Sequence, residues 1–130
     1  MEQLLVGYDL LSLELDEKFA NDYRELVALL LESTREVMGE EEVSQRLRRT
    51  DIDDGLHECL ATSGNDWRVT GESYTCATRV FARLSLGEEY SFVSELRNRV
   101  LNFCSQRNIP VPPIGWGFES PETADERAEP

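Results

Sequence analysis

The sequence predicts an α+β fold: a ferredoxin-like β-α-β-β-α sandwich in which two helices cover one face of a small antiparallel sheet. Three observations predict it. Phe19, Tyr23, Leu26, Val27, Leu30, Leu31, Thr34 and Met38 recur at steps of three and four residues, the stripe of a long amphipathic helix. A second stripe, Val93, Leu96, Val100, Leu101 and Cys104, marks another. Between them the chain alternates, with Tyr74, Cys76, Thr78, Val80, Ala82 and Leu84 on one face and Thr75, Ala77, Arg79, Phe81 and Arg83 on the other. That alternation reads as a strand whose first face carries the core and whose two arginines meet water or acids.

Taken in order, residues 3–9 read as a first strand, with a more irregular apolar stretch from Leu10 to Leu15 behind it. Asp16 is placed to cap the long helix, Glu17 suits the positive end of its dipole, and Gly39 stops it, giving a helix over about 16–38. Residues 40–66 form an insert of uncertain structure: Glu40-Glu41-Glu42 opens a second short helix through Val43 and Leu47. Leu56 to Leu60 suits either a strand or a helical turn, and Thr62-Ser63-Gly64-Asn65-Asp66 is turn chemistry. Trp67 to Thr70 reads as a strand paired, through a turn at Gly71-Glu72-Ser73, with the alternating strand over 74–85. The second long helix is expected over about 88–107, with Asn108 as a left-handed cap and Pro110 forbidding continuation. Residues 109–118 leave as an extended exit whose prolines block an ordinary central strand. One domain over 1–118 is therefore expected, followed by a disordered acidic tail over 119–130.

Charge narrows the classes of function. The chain carries 26 acids against 13 bases, a net charge of −13, which argues against nucleic acid and against direct lipid binding. The charge is uneven: −9 over residues 1–42, −2 over 43–66, +2 over 67–118 and −4 over 119–130. An acidic face is thus able to meet a mildly basic one, within a subunit or between subunits, although a solvated helix and tail account for it more plainly. No apolar run reaches the length of a membrane helix, and the N-terminus has neither the basic start nor the apolar core of a signal peptide. Cys59, Cys76 and Cys104, odd in number and at unrelated spacings, point to reduced thiols in a cytoplasmic protein.

Catalytic and metal chemistry is sparse. His57-Glu58-Cys59 joins imidazole, carboxylate and thiol, but no CxxC or HxxxH spacing completes a zinc set, and alternation along a strand keeps neighbours from facing each other. Asp51, Asp53 and Asp54 resemble a cation loop without its glycine and terminal glutamate in register. Gly64, Gly71, Gly115 and Gly117 make no phosphate cradle. No cofactor, metal site, catalytic residue or small-molecule substrate is expected. Trp116 and Phe118, between glycines and prolines, serve either a docking segment or the protein's own sheet.

Three stretches carry a family resemblance. Arg79-Val-Phe-Ala-Arg-Leu, then Glu95-Leu-Arg-Asn-Arg-Val-Leu-Asn-Phe, then Arg107-Asn-Ile-Pro-Val-Pro113 resemble the cytoplasmic carboxy-terminal region of small-conductance mechanosensitive channels. Val6-Gly-Tyr-Asp9 before a long helix, and Trp67 to Thr70 with its Gly-Glu-Ser-Tyr turn, are similar to that region's front end and central hairpin. Asn108 stands where the family has glycine, no glutamine follows Pro113, and 40–66 exceeds the family's connection. The resemblance implies a non-enzymatic cage domain that assembles beside its copies, as a homo-oligomer or the cytoplasmic portion of a membrane channel, and cannot conduct ions alone. Ile109, Val111, Ile114, Trp116 and Phe118 are the expected protein interface, an apolar strip leaving a small core. The rival reading is a small acidic binding or regulatory protein that acts on a basic partner.

Overall fold

The periodicity of three and four extends much further along the chain than the alternation of two. The computed structural model describes residues 2–52, 54–64 and 66–114, with side chains from Ser12 onward. Its elements are α1 (Glu2–Met38), α2 (Glu40–Arg48), a single 3-10 turn (Leu56–Glu58), β1 (Leu60–Ser63), β2 (Asp66–Val69), α3 (Ser73–Ser85) and α4 (Tyr90–Arg107). The expected ferredoxin-like sandwich is therefore corrected: the described residues form four helices and one two-stranded antiparallel sheet.

Three elements differ from expectation, each for a physical reason. Residues 3–9 belong to α1, not to a strand. The run from Leu4 to Leu15 has no proline and no turn dipeptide within it and is longer than an ordinary strand, so it continues as helix. Residues 74–85 form α3, not a strand. Its buried side chains include Tyr74, Ala77, Phe81 and Leu84, a helical spacing that the partial alternation obscured. The hairpin consequently lies one element earlier, with Thr62 opposite Trp67 and Leu60 opposite Val69. Gly64, at φ 67°, turns it, whereas Gly71 packs against the base of the hairpin. The segment Arg79 to Leu84, which carried the channel resemblance as a strand, is helical.

Other features fall where the sequence placed them. α4 buries Val93, Leu96, Val100 and Cys104. It ends on Asn108 at φ 56° and ψ 48°, whose N–H reaches the Cys104 and Ser105 carbonyls. α2 opens on its three glutamates after Gly39 at φ 90°.

The core sits where α1 crosses α3, closed by α2 and α4. Tyr23, Leu26 and Leu30 of α1 are fully buried with Val80, Phe81 and Leu84 of α3 and with Val93 and Val100 of α4. Burying aromatic and branched side chains of this size stabilises by roughly 1.5–3 kcal/mol each before chain entropy is counted. Tyr23 also donates its hydroxyl to the Pro110 carbonyl at 2.7 Å, tying the exit segment to α1. Burial pushes that phenol well above the ordinary tyrosine pKa.

Polar contacts fix the helix ends. Asp16 does not cap α1; it lies inside that helix and caps α3, accepting from the Tyr74 N–H at 2.8 Å and from the Ser73 hydroxyl. The same hydroxyl reaches the Ala20 carbonyl at 3.0 Å, and α1 is kinked at Phe19, where this side chain inserts. Between α2 and α3 the arginines are exchanged. Arg83 of α3 donates to the Arg46 and Arg49 carbonyls at the end of α2, both at 3.0 Å. Arg46 of α2 donates to the Leu84 and Leu86 carbonyls at the end of α3, at 3.4 and 3.1 Å.

Candidate protein-binding groove

A two-stranded sheet leaves each strand with one unpaired edge, and an unpaired edge is a row of N–H and C=O groups seeking partners. Here β2 pairs with β1 alone, and its four backbone units make no backbone hydrogen bond outside the hairpin among the described residues. Between β2 and α1 runs an open groove of about 560 Å³. Val27, Ala28 and Leu31 of α1 and Trp67 and Val69 of β2 give it apolar walls, and Arg24, Arg35 and Arg68 stand along it.

Trp67 is held in place. Its indole N–H donates to the Ser44 hydroxyl of α2 at 3.2 Å, and the Arg48 guanidinium lies 5.6 Å from its ring centre. The arginines differ in how far the chain occupies them. Arg68 pairs with Asp66 at 3.1 Å on the surface, and Arg24 donates to its neighbour Asn21 at 3.3 Å. Arg35 is half-buried, and its Nε is buried without a hydrogen-bond partner among the described residues. A buried donor in that state is costly and is relieved by an incoming acceptor. Glu32 also lines the groove, so its charge is mixed rather than uniformly basic. Chemically, the groove offers backbone pairing along one side, apolar contact on its floor and guanidinium groups for a carboxylate.

The residues singled out from the sequence lie elsewhere. His57 is exposed and Cys59 is buried, with its thiol on the Leu56 carbonyl at 3.4 Å. No group of three His, Cys, Asp or Glu side chains is placed to hold a metal ion among the described residues. Asp51 pairs with Arg49 at 2.6 Å and Asp54 with Arg83 at 2.6 Å, while Asp53 lies outside the described residues. Of the expected interface, Ile109 is buried in the chain's own core and Ile114 is half-buried against it. Val111 is 42% exposed, and the intervening Pro112 is fully buried. Trp116, Phe118 and the acidic tail 119–130 lie outside the described residues. No helix among the described residues is long and apolar enough to cross a membrane.

The groove residues were not foreseen as a site. Trp67 is a strand residue in sequence and structure alike, but Arg24, Ala28, Leu31 and Arg35 come to its side only because α1 lies beside the hairpin. In the sequence Arg24, Ala28 and Arg35 are on the outer side of an amphipathic helix, while Leu31 belongs to its apolar stripe. Among the described residues the fold is thus that of a small, mainly helical protein whose two-stranded hairpin borders a groove on α1. Compared with known proteins, the chain matches no family, no curated protein and no solved structure.

Proposed function

We propose that this chain is a protein-binding module that receives an extended, acidic segment of a partner protein as a third strand on the free edge of β2. One observation carries the reading: Asp66–Val69, a strand paired on one side only, lines the same groove as Arg24, Arg35 and the apolar Val27 and Leu31. Strand addition supplies affinity through the main chain, and alternate side chains of the guest meet the groove wall. Carboxylates on the guest would pair with the exposed Arg24 and with the guanidinium of the half-buried Arg35. The chain's overall negative charge opposes such a guest at long range, but at physiological salt that field decays over about 8 Å, so the local arginines decide. A cytoplasmic setting accords with the three free cysteines. The partner therefore differs from the basic one expected from net charge alone.

Fluorescence anisotropy with labelled peptides tests this. The probes are a peptide alternating valine and glutamate, its lysine counterpart, and the glutamate peptide N-methylated at every second residue. The glutamate peptide should bind and the other two should not. Arg35→Gln should weaken binding by roughly tenfold, the worth of one charge-assisted hydrogen bond. Equal binding of the lysine peptide, or indifference to N-methylation, would overturn the reading.

A further inference from the structure

A second place in the molecule, at the base of the hairpin, brings reactive groups together. Cys59 follows the 3-10 turn and precedes β1, and Cys76 lies in the first turns of α3. The Cys76 thiol donates to the Cys59 carbonyl oxygen at 3.3 Å, so the two residues are in direct contact. Both cysteines are buried and unbridged. Glycine at position 71 lets the two segments approach, because a Cβ there would meet the Cys59 Cα and the Glu58 carbonyl at 3.0 Å. A pocket of about 240 Å³ opens onto Cys59, bordered by Arg79, Thr75 and Glu72.

From this geometry we infer that Cys59 and Cys76 form a dithiol oxidised to an intramolecular disulfide by a small hydroperoxide entering through that pocket. Cys59 is the attacking group because it lines the pocket, whereas Cys76 lies behind it. The environment agrees: the hydrogen bond from Cys76 stabilises the Cys59 thiolate, burial works against it, and the nearby Arg79 favours it, leaving Cys59 below the ordinary cysteine pKa. The Cys76 thiol is raised by the same hydrogen bond and by burial, so it stays protonated until needed.

The step balances as follows. The Cys59 thiolate attacks one peroxide oxygen, the O–O bond breaks, and hydroxide or alkoxide leaves, giving a sulfenic acid. The Cys76 sulfur then attacks the Cys59 sulfur, an S–S bond forms, the S–O bond breaks, and water leaves with the Cys76 proton. Two sulfurs lose two electrons in total, and the peroxide gains them. The product ties the base of the hairpin to α3. Cys59 already anchors the chain beyond β2 through its carbonyl, which accepts the Thr70 N–H at 2.8 Å, so the cross-link forms at an established junction. The inference goes beyond the groove and does not depend on it.

Cys104 is the internal control. It is buried in α4, and burial alone raises its thiol to about 11. The test uses the full chain, reduced and then titrated with hydrogen peroxide. Thiols counted after denaturation should fall from three to one. The intact mass should fall by about 2 Da, the two hydrogens lost, and return with dithiothreitol. Peptide mapping of the wild type should find Cys59 joined to Cys76. Cys76→Ser should leave a Cys59 sulfenic acid that dimedone traps, and Cys104→Ser should leave the cross-link unchanged. Survival of all three thiols, a link that includes Cys104, or only intermolecular disulfides would overturn the proposal. Mapping on the wild type decides the matter even where a serine variant folds poorly.

Discussion

Arg83 is the most heavily committed charged side chain among the described residues. Its Nε and Nη2 hold both oxygens of Asp54 at 3.0 and 2.6 Å, while Nη1 caps the end of α2. Its side chain is only 2% exposed, so truncation strands the Asp54 carboxylate and the carbonyls together. Arg83→Leu should therefore cost on the order of 3–5 kcal/mol in urea unfolding, the range for removing one partner of a buried pair. A variant as stable as wild type would mean that the 49–55 loop does not depend on this residue. Asp54 gives the complementary pH effect. Burial pushes its carboxyl up, but Arg83 and the Leu56 N–H more than offset this and hold it below the ordinary 3.8. A carboxylate with a depressed folded pKa contributes stability that is complete above its unfolded pKa and is lost as pH falls through the folded one. The stability gap between wild type and Asp54→Asn should thus be widest near neutral pH and close below about pH 4, measured by urea titrations at several pH values.

At the scale of elements, sequence legibility depended on whether each signal was local. α4 was legible because its stripe, its Asn108 cap and Pro110 all lie within the element or next to it. The stretch of α1 from Asp16 to Met38 was legible for the same reason, with Gly39 as its stop. α3 was not. Its N-terminal residues Glu72 and Ser73 supply no cap of their own, and the carboxylate that does the work, Asp16, comes from 57 positions earlier. Lacking that signal, Tyr74, Cys76, Val80 and Leu84 fit either period. The groove was illegible for a related reason: nothing in the spacing of Arg24 and Arg35 says that a strand lines the same groove. Asp16→Ala tests the distant cap. It should cost about 1 kcal/mol, the usual worth of an N-cap, and the loss should appear in the urea midpoint. Unchanged stability would show that the Ser73 hydroxyl and water replace it.

For the whole molecule, the balance of charge sets the response to salt. Most of the excess acid lies on α1 and the start of α2, where Glu14, Glu17, Glu32, Glu36, Glu40 and Glu41 are exposed. Several bases are spent inside the chain, as when Arg107 spans Asp22 and Glu25, both at 2.8 Å. With a net charge of −13, self-repulsion should outweigh these exposed pairs, which solvent and salt screen. Raising salt from about 0.01 to 0.1 M shortens the screening length from roughly 30 to 10 Å, and the melting temperature should rise with it. A fall would show that the ion pairs dominate.

The arginine exchange between α2 and α3 has a kinetic corollary. Each helix is terminated by a guanidinium borne on the other, so neither has a finished end while its companion is open. The two should therefore melt as one unit in native conditions, although α2, at nine residues, is too short to persist alone. Native-state hydrogen exchange reads this directly. Amides of the last turn of α2 and the last turn of α3 should share one opening free energy and one urea dependence. Separate isotherms, with α2 exchanging first, would show two independent helices that merely touch.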